Sequence, residues 1–272
     1  TGQNVTENIV CKPTDKELIK LYEDNKKDIS KLPDCYNLKI SGEYEGLWNT
    51  LFVRPLAFII LNLSKIVGSI AISLVIITLI LRGILYPVTK KTAIQSEMMK
   101  KAQPELTKLE KKYENKTDPE SMNKKGQEML AIYKKYKINP MSGCIFAFLQ
   151  LPILLAFWEA IQRVPAIYEE TFIGINMGIT PWTAITNGNW YYIIIPALIV
   201  VTTYFSYKNN KQTQDKDNAM ANQMNMMMNF MTIFIGFMAF TLPTAIAFYW
   251  ITSSLFTIVQ NKLVNRSLKN GK

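Results

Sequence analysis

The sequence predicts an all-α integral membrane protein with five transmembrane helices, an interfacial amphipathic helix and a cytoplasmic helical hairpin. Two observations carry this prediction. Apolar residues make up 49% of the 272-residue chain and are concentrated in long runs, several of which can cross a hydrocarbon core about 30 Å thick. The charged residues lie in blocks between these runs, and the lysines and arginines are distributed as expected for cytoplasmic loops.

The N-terminal segment, residues 1–45, alternates acidic residues and lysines and contains few large apolar side chains. This composition predicts a short extracytoplasmic segment that is partly helical or disordered. Cys11 and Cys35 both lie in it, and the sequence leaves open whether they form a disulfide or stay free thiols. No lipid is predicted on Cys11, because Val10 stands where a lipoprotein signal requires a small residue. Since the chain starts at Thr1 and not at Met, we expect that a leader has been removed.

Residues 46–65 predict an amphipathic helix that lies in the membrane interface. Aromatic and aliphatic residues, Trp48 among them, recur at helical spacing, and Arg54 and Lys65 are interspersed. The alternative is that this helix extends the first transmembrane helix. Pro55 and Lys65 favour a break between the two.

Five apolar runs predict the membrane spans. They lie at residues 66–87, 142–162, 190–207, 226–241 and 244–261. Only Leu242 and Pro243 separate the last two runs, and so tight a connection predicts a transmembrane hairpin.

Residues 88–139 are too polar to enter lipid, since they hold 13 lysines against 7 acidic residues. Apolar residues recur every three or four positions along two runs, which predicts two helices. Between the runs, Thr117 or Asp118 can cap the second helix and Pro119 suits its first turn. The segment is therefore predicted to be a helical hairpin outside the membrane, the alternative being a coiled-coil dimerisation arm.

The positive charges predict the orientation of the chain. The hairpin 88–139, the loop 208–223 and the tail 262–272 carry 13, 3 and 4 lysines or arginines, respectively, whereas residues 164–189 carry none. By the positive-inside rule the first three are cytoplasmic, and the loop 163–189 is external. The N-terminus is thus predicted outside and the C-terminus in the cytoplasm.

Arg82 lies within the first predicted span. A guanidinium near the bilayer centre costs on the order of 3 kcal/mol, so its presence requires an explanation. From its position alone, Arg82 either extends its side chain to the membrane surface or acts as a buried functional charge. Thr78, one helical turn earlier, shares its helix face.

Polar residues in other spans extend this pattern. Ser253, Thr257 and Gln260 share a face of the fifth span, and Gln150 interrupts the second span. These residues either form ordinary hydrogen bonds between helices or line a hydrated groove together with Arg82.

The composition argues against several classes of function. The chain has no His, its three cysteines fit no zinc spacing, and it carries neither a nucleotide-binding loop nor a Ser/His/Asp set. We therefore predict no metal, no cofactor and no enzymatic activity. Since the positive charges follow the membrane topology, no direct binding of nucleic acid is predicted. Glu159, the one acid within a predicted span, lies near the opposite end of the bilayer from Arg82, which disfavours a proton-coupled transporter.

Four segments resemble those of a known family. They are RGILYPVTKKT, MMKKAQPELTKLEKKY, EMLAIYKKYKINPMSGCIFAFLQLPILLAFWEAI and LPTAIAFYWITSSLFTIVQN. In this order and at this spacing they resemble the YidC/Oxa/Alb family of membrane protein insertases over nearly the whole chain, in the Gram-positive bacterial form without the large external domain. The resemblance implies a bacterial plasma membrane protein.

The resemblance also implies a mechanism. Arg82, Thr78 and Gln150 correspond to a hydrophilic groove that is open to the cytoplasm and receives acidic or polar segments of client proteins. Tyr249 and Trp250 correspond to a surface along which the client slides into the bilayer.

The partners implied by the resemblance are nascent membrane proteins and the lipid bilayer. The Sec translocon, the ribosome and the signal recognition particle pathway are further candidates. The alternative function is a small-solute transporter or channel that uses the same groove.

Overall fold

The structure is a computed structural model that describes residues 11–13, 16–25, 28–34, 46–139, 142–208 and 219–270. Almost all regular structure in these residues is helical. The helices are α1 Lys16–Asp24, α2 Gly46–Trp48, α3 Arg54–Val67, α4 Ile70–Ile84, α5 Tyr86–Lys112, α6 Pro119–Lys135, α7 Ser142–Gln162, α8 Ala166–Glu169, α9 Pro181–Thr186, α10 Ile194–Lys208, α11 Ala219–Thr241 and α12 Thr244–Asn270. The π-helical turn Asn49–Val53 joins α2 to α3, and the 3-10 turn Trp190–Ile193 leads into α10.

Two short strands complete the described structure. They are β1, Thr171–Phe172, and β2, Ile175–Asn176, which pair antiparallel with Thr171 opposite Asn176. Since these strands are only two residues each and the other named elements are helical, the prediction of an all-α protein is confirmed.

The length and apolar character of the helices give a partial count of spans. Among the described residues, Gly46–Val67 and Trp190–Lys208 are each long and apolar enough to cross a membrane, and a third span results if α4 and α5 count as one broken helix. Asn225–Thr241 is apolar but shorter. Five spans, and an interfacial position for residues 46–65, stay predictions.

A left-handed glycine separates α3 from α4. Gly68 ends α3 with φ = 74° and donates its N–H to the Ser64 carbonyl at 2.8 Å. The N-terminus of α4 is capped from a distant part of the chain, because the Glu170 carboxylate accepts hydrogen bonds from the Ile70 N–H at 2.7 Å and the Ser69 hydroxyl at 2.8 Å. A carboxylate at the N-terminus of a helix also interacts favourably with the helix dipole. The regular helix in the first predicted span is thus shorter than 66–87.

The chain forms two compact units. Unit 1 comprises Thr1–Leu81, Leu151–Ile199 and Phe237–Ser253, and unit 2 comprises Arg82–Gln150, Val200–Gly236 and Ser254–Lys272.

The core of unit 1 is apolar and includes part of the N-terminal segment. Residues from α3, α4, α7 and α12 form it, with Ile60, Leu74, Phe157 and Ile246 fully buried. Cys11 belongs to this core and is disulfide-bonded, so of the two alternatives it is not a free thiol. Cys35 lies outside the described residues.

The hairpin α5 and α6 belongs to unit 2. Ala102 and Leu106 of α5 are buried with Tyr133 of α6 and Ile138 just after it. Asp118 is the cap of α6, since its carboxylate accepts a hydrogen bond from the Ser121 N–H at 2.8 Å. Of the two capping residues predicted, the structure therefore uses Asp118.

Candidate functional site

The Arg82 side chain is held by Gln150 of α7. Arg82 lies in the last turn of α4 and is only 7% exposed. Its Nη2 donates a hydrogen bond to Oε1 of the half-buried Gln150 at 2.9 Å. A carboxamide can satisfy a guanidinium donor, but it carries no charge to neutralise the cation. This contact therefore orients the Arg82 guanidinium without adding a negative charge beside it.

A second polar contact in unit 2 joins the start of α5 to α12. The buried Gln260 donates from Nε2 to the Thr89 hydroxyl at 2.8 Å. One residue later, Asn261 donates to the Ser206 carbonyl of α10 at 3.4 Å. Thr257, one turn before Asn261, is half-buried. Buried polar side chains in hydrogen-bonded pairs are typical of helix contacts inside membranes.

Sequence reasoning missed Thr89 as a partner of Gln260. Thr89 lies just past the predicted span 66–87, in the polar segment assigned to the hairpin. The sequence held a signal for it, because Thr89 stands four residues before the apolar Ala93. Both residues are buried in the structure. This spacing puts the two on one face of α5.

The remaining predicted site residues belong to unit 1. Thr78 is fully buried and donates its hydroxyl to the Leu74 carbonyl of its own helix at 2.6 Å. Ser253 is also buried. Tyr249 is 2% exposed and stacks on Phe157 with ring centroids 4.3 Å apart, while Trp250 is half-buried. In this structure Tyr249 is a core residue of unit 1, and its assignment to a sliding surface stays a prediction.

The acidic residue of the second predicted span has partners of its own. Glu159 accepts hydrogen bonds from Arg163 at 2.8 Å and from the Trp48 indole at 3.1 Å. An ion pair between residues one helical turn apart stabilises a helix, and the Trp48 indole adds a contact with α2. It gives Glu159 a role in fixing α2 to α7 within unit 1.

The hairpin carries two matched polar clamps between its helices. Glu105 of α5 accepts from Lys135 and Tyr136 at 2.5 and 2.8 Å. At the other end, Glu128 of α6 accepts from Lys112 and Tyr113 at 2.6 and 2.9 Å. The hydrogen bond from Lys135 lowers the pKa of Glu105, and that from Lys112 lowers the pKa of Glu128. Both carboxylates are therefore ionised at neutral pH.

Comparison with known proteins identifies the family. The model of the 60Kd inner membrane protein family matches residues 62–271. The chain belongs to this family. The match covers α4 to α12, including Arg82, Gln150 and Gln260.

Relatives in this family carry insertase names. The chain is 34% identical over 234 residues to membrane protein insertase YidC 1 of Listeria monocytogenes, covering 86% of this chain and 77% of the relative. It is 32% identical over 240 residues to membrane protein insertase YidC of Oceanobacillus iheyensis, covering 87% and 90%. It is also 32% identical over 236 residues to membrane protein insertase MisCA of Bacillus subtilis, covering 86% and 85%. The resemblance to the YidC insertases is thereby confirmed.

A solved structure shares the fold. The crystal structure of active YidC insertase with the first transmembrane domain resolved matches with a TM-score of 0.51 at 21% identity, covering 91% of this chain. The match covers 53% of that solved chain, so the present chain spans about half its length.

Proposed function

We propose that this protein is a membrane protein insertase and chaperone. It receives polar or acidic segments of client proteins in a cytoplasm-open hydrophilic groove that contains Arg82, and it releases their transmembrane helices into the bilayer, alone or with the Sec translocon. Family membership and the insertase names of the relatives support the general function. The observation that carries the specific mechanism is the contact between the buried Arg82 and the neutral Gln150.

The magnitudes are compatible with this mechanism. A carboxylate 4 Å from a guanidinium gains on the order of 4 kcal/mol at an effective dielectric constant of 20. Placing one aspartate at the centre of a membrane helix costs about 3 kcal/mol. Arg82 can therefore offset the burial of one acidic residue but not of several. Partition of the client's apolar helix into lipid supplies the remaining driving force.

The proposal also assigns other residues to the groove. Gln150 orients Arg82, and Thr257 of the same unit is proposed to offer a polar contact to a client backbone. Gln260, which pairs with Thr89 in the structure, is proposed as a groove residue from its position in the sequence. Thr78, one turn before Arg82 on α4, is proposed to contribute a hydroxyl. Ser253 is proposed as a groove residue, and Tyr249 and Trp250 as the sliding surface, from their positions in the sequence. The orientation with the N-terminus outside also belongs to this proposal, as does binding to the Sec translocon, the ribosome or the signal recognition particle.

Insertion by reconstituted protein tests the role of Arg82. Vesicles containing the wild type, Arg82→Ala or Arg82→Lys are given a single-span client with one acidic residue in its translocated tail, and protease protection of that tail is measured. We expect Arg82→Ala to lose most protection and Arg82→Lys to retain much of it, because charge matters more than bidentate geometry here. Unimpaired insertion by Arg82→Ala would contradict the mechanism.

Two controls make this experiment specific. Arg266→Ala removes the same charge from an exposed position on α12, and we expect it to insert like the wild type. A client with a neutral tail is expected to depend less on Arg82. Solute flux measured in the same vesicles distinguishes the alternative, since a flux abolished by Arg82→Ala would indicate a transporter or channel.

A further inference from the structure

The turn between β1 and β2 carries an unusual residue. Ile173 and Gly174 form the two-residue loop of the hairpin, with φ values of 52° and 75°. Positive φ at both central positions defines a type I′ turn, which favours Asn-Gly, Asp-Gly or Gly-Gly. A β-branched residue in the left-handed region is disfavoured, because its Cβ crowds the backbone.

The side chain of Ile173 is exposed. The residue is 84% exposed, so packing inside the protein does not compensate for its backbone conformation. The neighbouring Phe172 points inward, where its ring contacts Phe248 of α12 edge to face at 5.5 Å. The hairpin is therefore anchored to unit 1 by Phe172 and presents Ile173 at its tip. A disfavoured backbone conformation at a residue with an exposed apolar side chain indicates that this side chain meets a partner outside the protein.

The tip is hydrogen-bonded to the start of a candidate membrane span. The Tyr191 hydroxyl donates a hydrogen bond to the Gly174 carbonyl at 3.1 Å, which ties the tip to the start of the span Trp190–Lys208. Exposed apolar side chains then continue along this span, namely Trp190, Ile193, Ile194 and Leu198. The tip is thus bonded to the start of a candidate span that exposes apolar side chains.

The charge pattern is consistent with lipid as the occupant of this surface. No Asp, Glu, Lys or Arg occurs between Thr171 and Tyr207, although residues 171–189 precede the span. The nearby Glu170 is occupied in capping α4, and Glu169 is buried. An uncharged surface with Trp and Tyr at the start of a span is typical of the membrane interface.

We propose that the hairpin tip inserts Ile173 into the boundary between headgroups and acyl chains, in the leaflet where α10 begins. The tip acts as a lipid anchor that holds the segment 163–189 against the membrane surface. This anchor requires only that the chain resides in a bilayer, and it does not depend on the insertase mechanism.

A fluorescent residue at the tip tests the proposal directly. An environment-sensitive fluorescent amino acid replaces Ile173 by nonsense suppression in the full chain, reconstituted in liposomes of phosphatidylglycerol and phosphatidylethanolamine. We expect a blue-shifted emission, quenching by lipids brominated on their acyl chains and weak quenching by aqueous iodide. The same residue at the exposed position Glu23 of α1 is the control and is expected to respond to iodide. Iodide quenching equal to that at position 23, without quenching by brominated lipid, would overturn the proposal.

A pair of substitutions separates lipid anchoring from turn formation. Ile173→Asn suits the type I′ turn but is polar, whereas Ile173→Leu remains apolar. Amide hydrogen exchange of residues 171–176 is measured in lipid nanodiscs. If the tip is anchored in lipid, Ile173→Asn exchanges faster than the wild type and Ile173→Leu stays protected. If Ile173 only shapes the turn, Ile173→Asn exchanges at an equal or slower rate, and the proposal is rejected.

Discussion

Arg82 of α4 donates a hydrogen bond to Gln150 of α7 across 68 residues of sequence, with 2.9 Å between Nη2 and Oε1. The acceptor is an uncharged amide, so the contact orients the guanidinium without adding a negative charge beside it. Replacing the acceptor by a charged group of similar shape therefore isolates the role of the charge.

Gln150→Glu is expected to impair the insertion of acidic clients. A carboxylate at this position pairs with Arg82 and competes with the carboxylate of the client, which lowers the electrostatic attraction. Gln150→Met, the matched control, removes the hydrogen bond but adds no charge, and we expect a smaller loss. Protease protection of a client tail in reconstituted vesicles measures both. Full activity of Gln150→Glu with an acidic client would argue against electrostatic reception by Arg82.

Gln103→Leu is expected to stabilise the protein. Gln103 of α5 is 3% exposed, and among the described residues neither its amide nitrogen nor its amide oxygen has a hydrogen-bond partner. An unsatisfied buried polar group costs about 1–3 kcal/mol, and an apolar replacement of similar size removes this cost. Thermal unfolding in detergent measures the effect. Gln127→Leu, at an exposed position of α6, is expected to leave the midpoint unchanged, and a lower midpoint for Gln103→Leu would refute the explanation.

The hairpin α5 and α6 is expected to loosen in acid. The pKa values of Glu105 and Glu128 lie below the ordinary glutamate value of 4.5 in the folded state. Their stabilising contribution is therefore fully present above about pH 4.5 and is lost as the pH falls through the lowered folded values. The pKa values of Lys112 and Lys135 are raised above 10.5 by the same contacts, so the corresponding alkaline loss begins only above that pH.

Distances between spin labels on α5 and α6, followed against pH, measure this transition. Glu105→Gln with Glu128→Gln is expected to broaden the distance distribution already at pH 7 and to flatten its dependence on acid. Glu120→Gln breaks the exposed pair with Lys124 inside α6, and we expect it to leave the distribution unchanged. An unchanged distribution in the double variant would show that apolar packing alone holds the hairpin.

Two glycines are expected to respond oppositely to alanine. A Cβ at Gly236 of α11 would lie 2.6 Å from Cγ2 of Val200 on α10, so Gly236→Ala must force the two helices apart or displace Val200. A Cβ at Gly126 of α6 has no atom within 4 Å, and Gly126→Ala should gain about 1 kcal/mol from helix propensity. Thermal unfolding of both variants gives the sign. Equal midpoints would indicate that the contact between α10 and α11 relaxes without cost.

The helices were predictable because their sequence signals, apolar periodicity and capping residues, involve residues that are neighbours in the chain. The cap of α6 lies at one of the two predicted positions before Pro119, Thr117 and Asp118, and the helical hairpin follows from apolar residues repeated every three or four positions. The Glu170 cap of α4 was not predictable in this way. Its carboxylate reaches the Ile70 N–H across 100 residues, and no local pattern signals such a contact.

The polar site was predictable in its residue types but not in its pairings. Arg82, Gln150 and Gln260 stand out as polar side chains in apolar runs, yet nothing in the runs indicates that Gln150 binds Arg82 and that Gln260 binds Thr89. Tyr249 shows the same limit, because an aromatic residue in a span fits a lipid-facing surface as well as the stack on Phe157.

By itself, the sequence determined that the chain is helical, that it belongs with the membrane protein insertases and that an arginine within an apolar run is its most conspicuous charge. These conclusions rest on composition, periodicity and segment order, which the linear chain carries. Only the tertiary structure decided which acceptor orients that arginine, which residue caps α4 and how Ile173 is presented at the tip of its hairpin. Those outcomes depend on contacts between residues far apart in sequence and on a backbone conformation that the residue type alone disfavours.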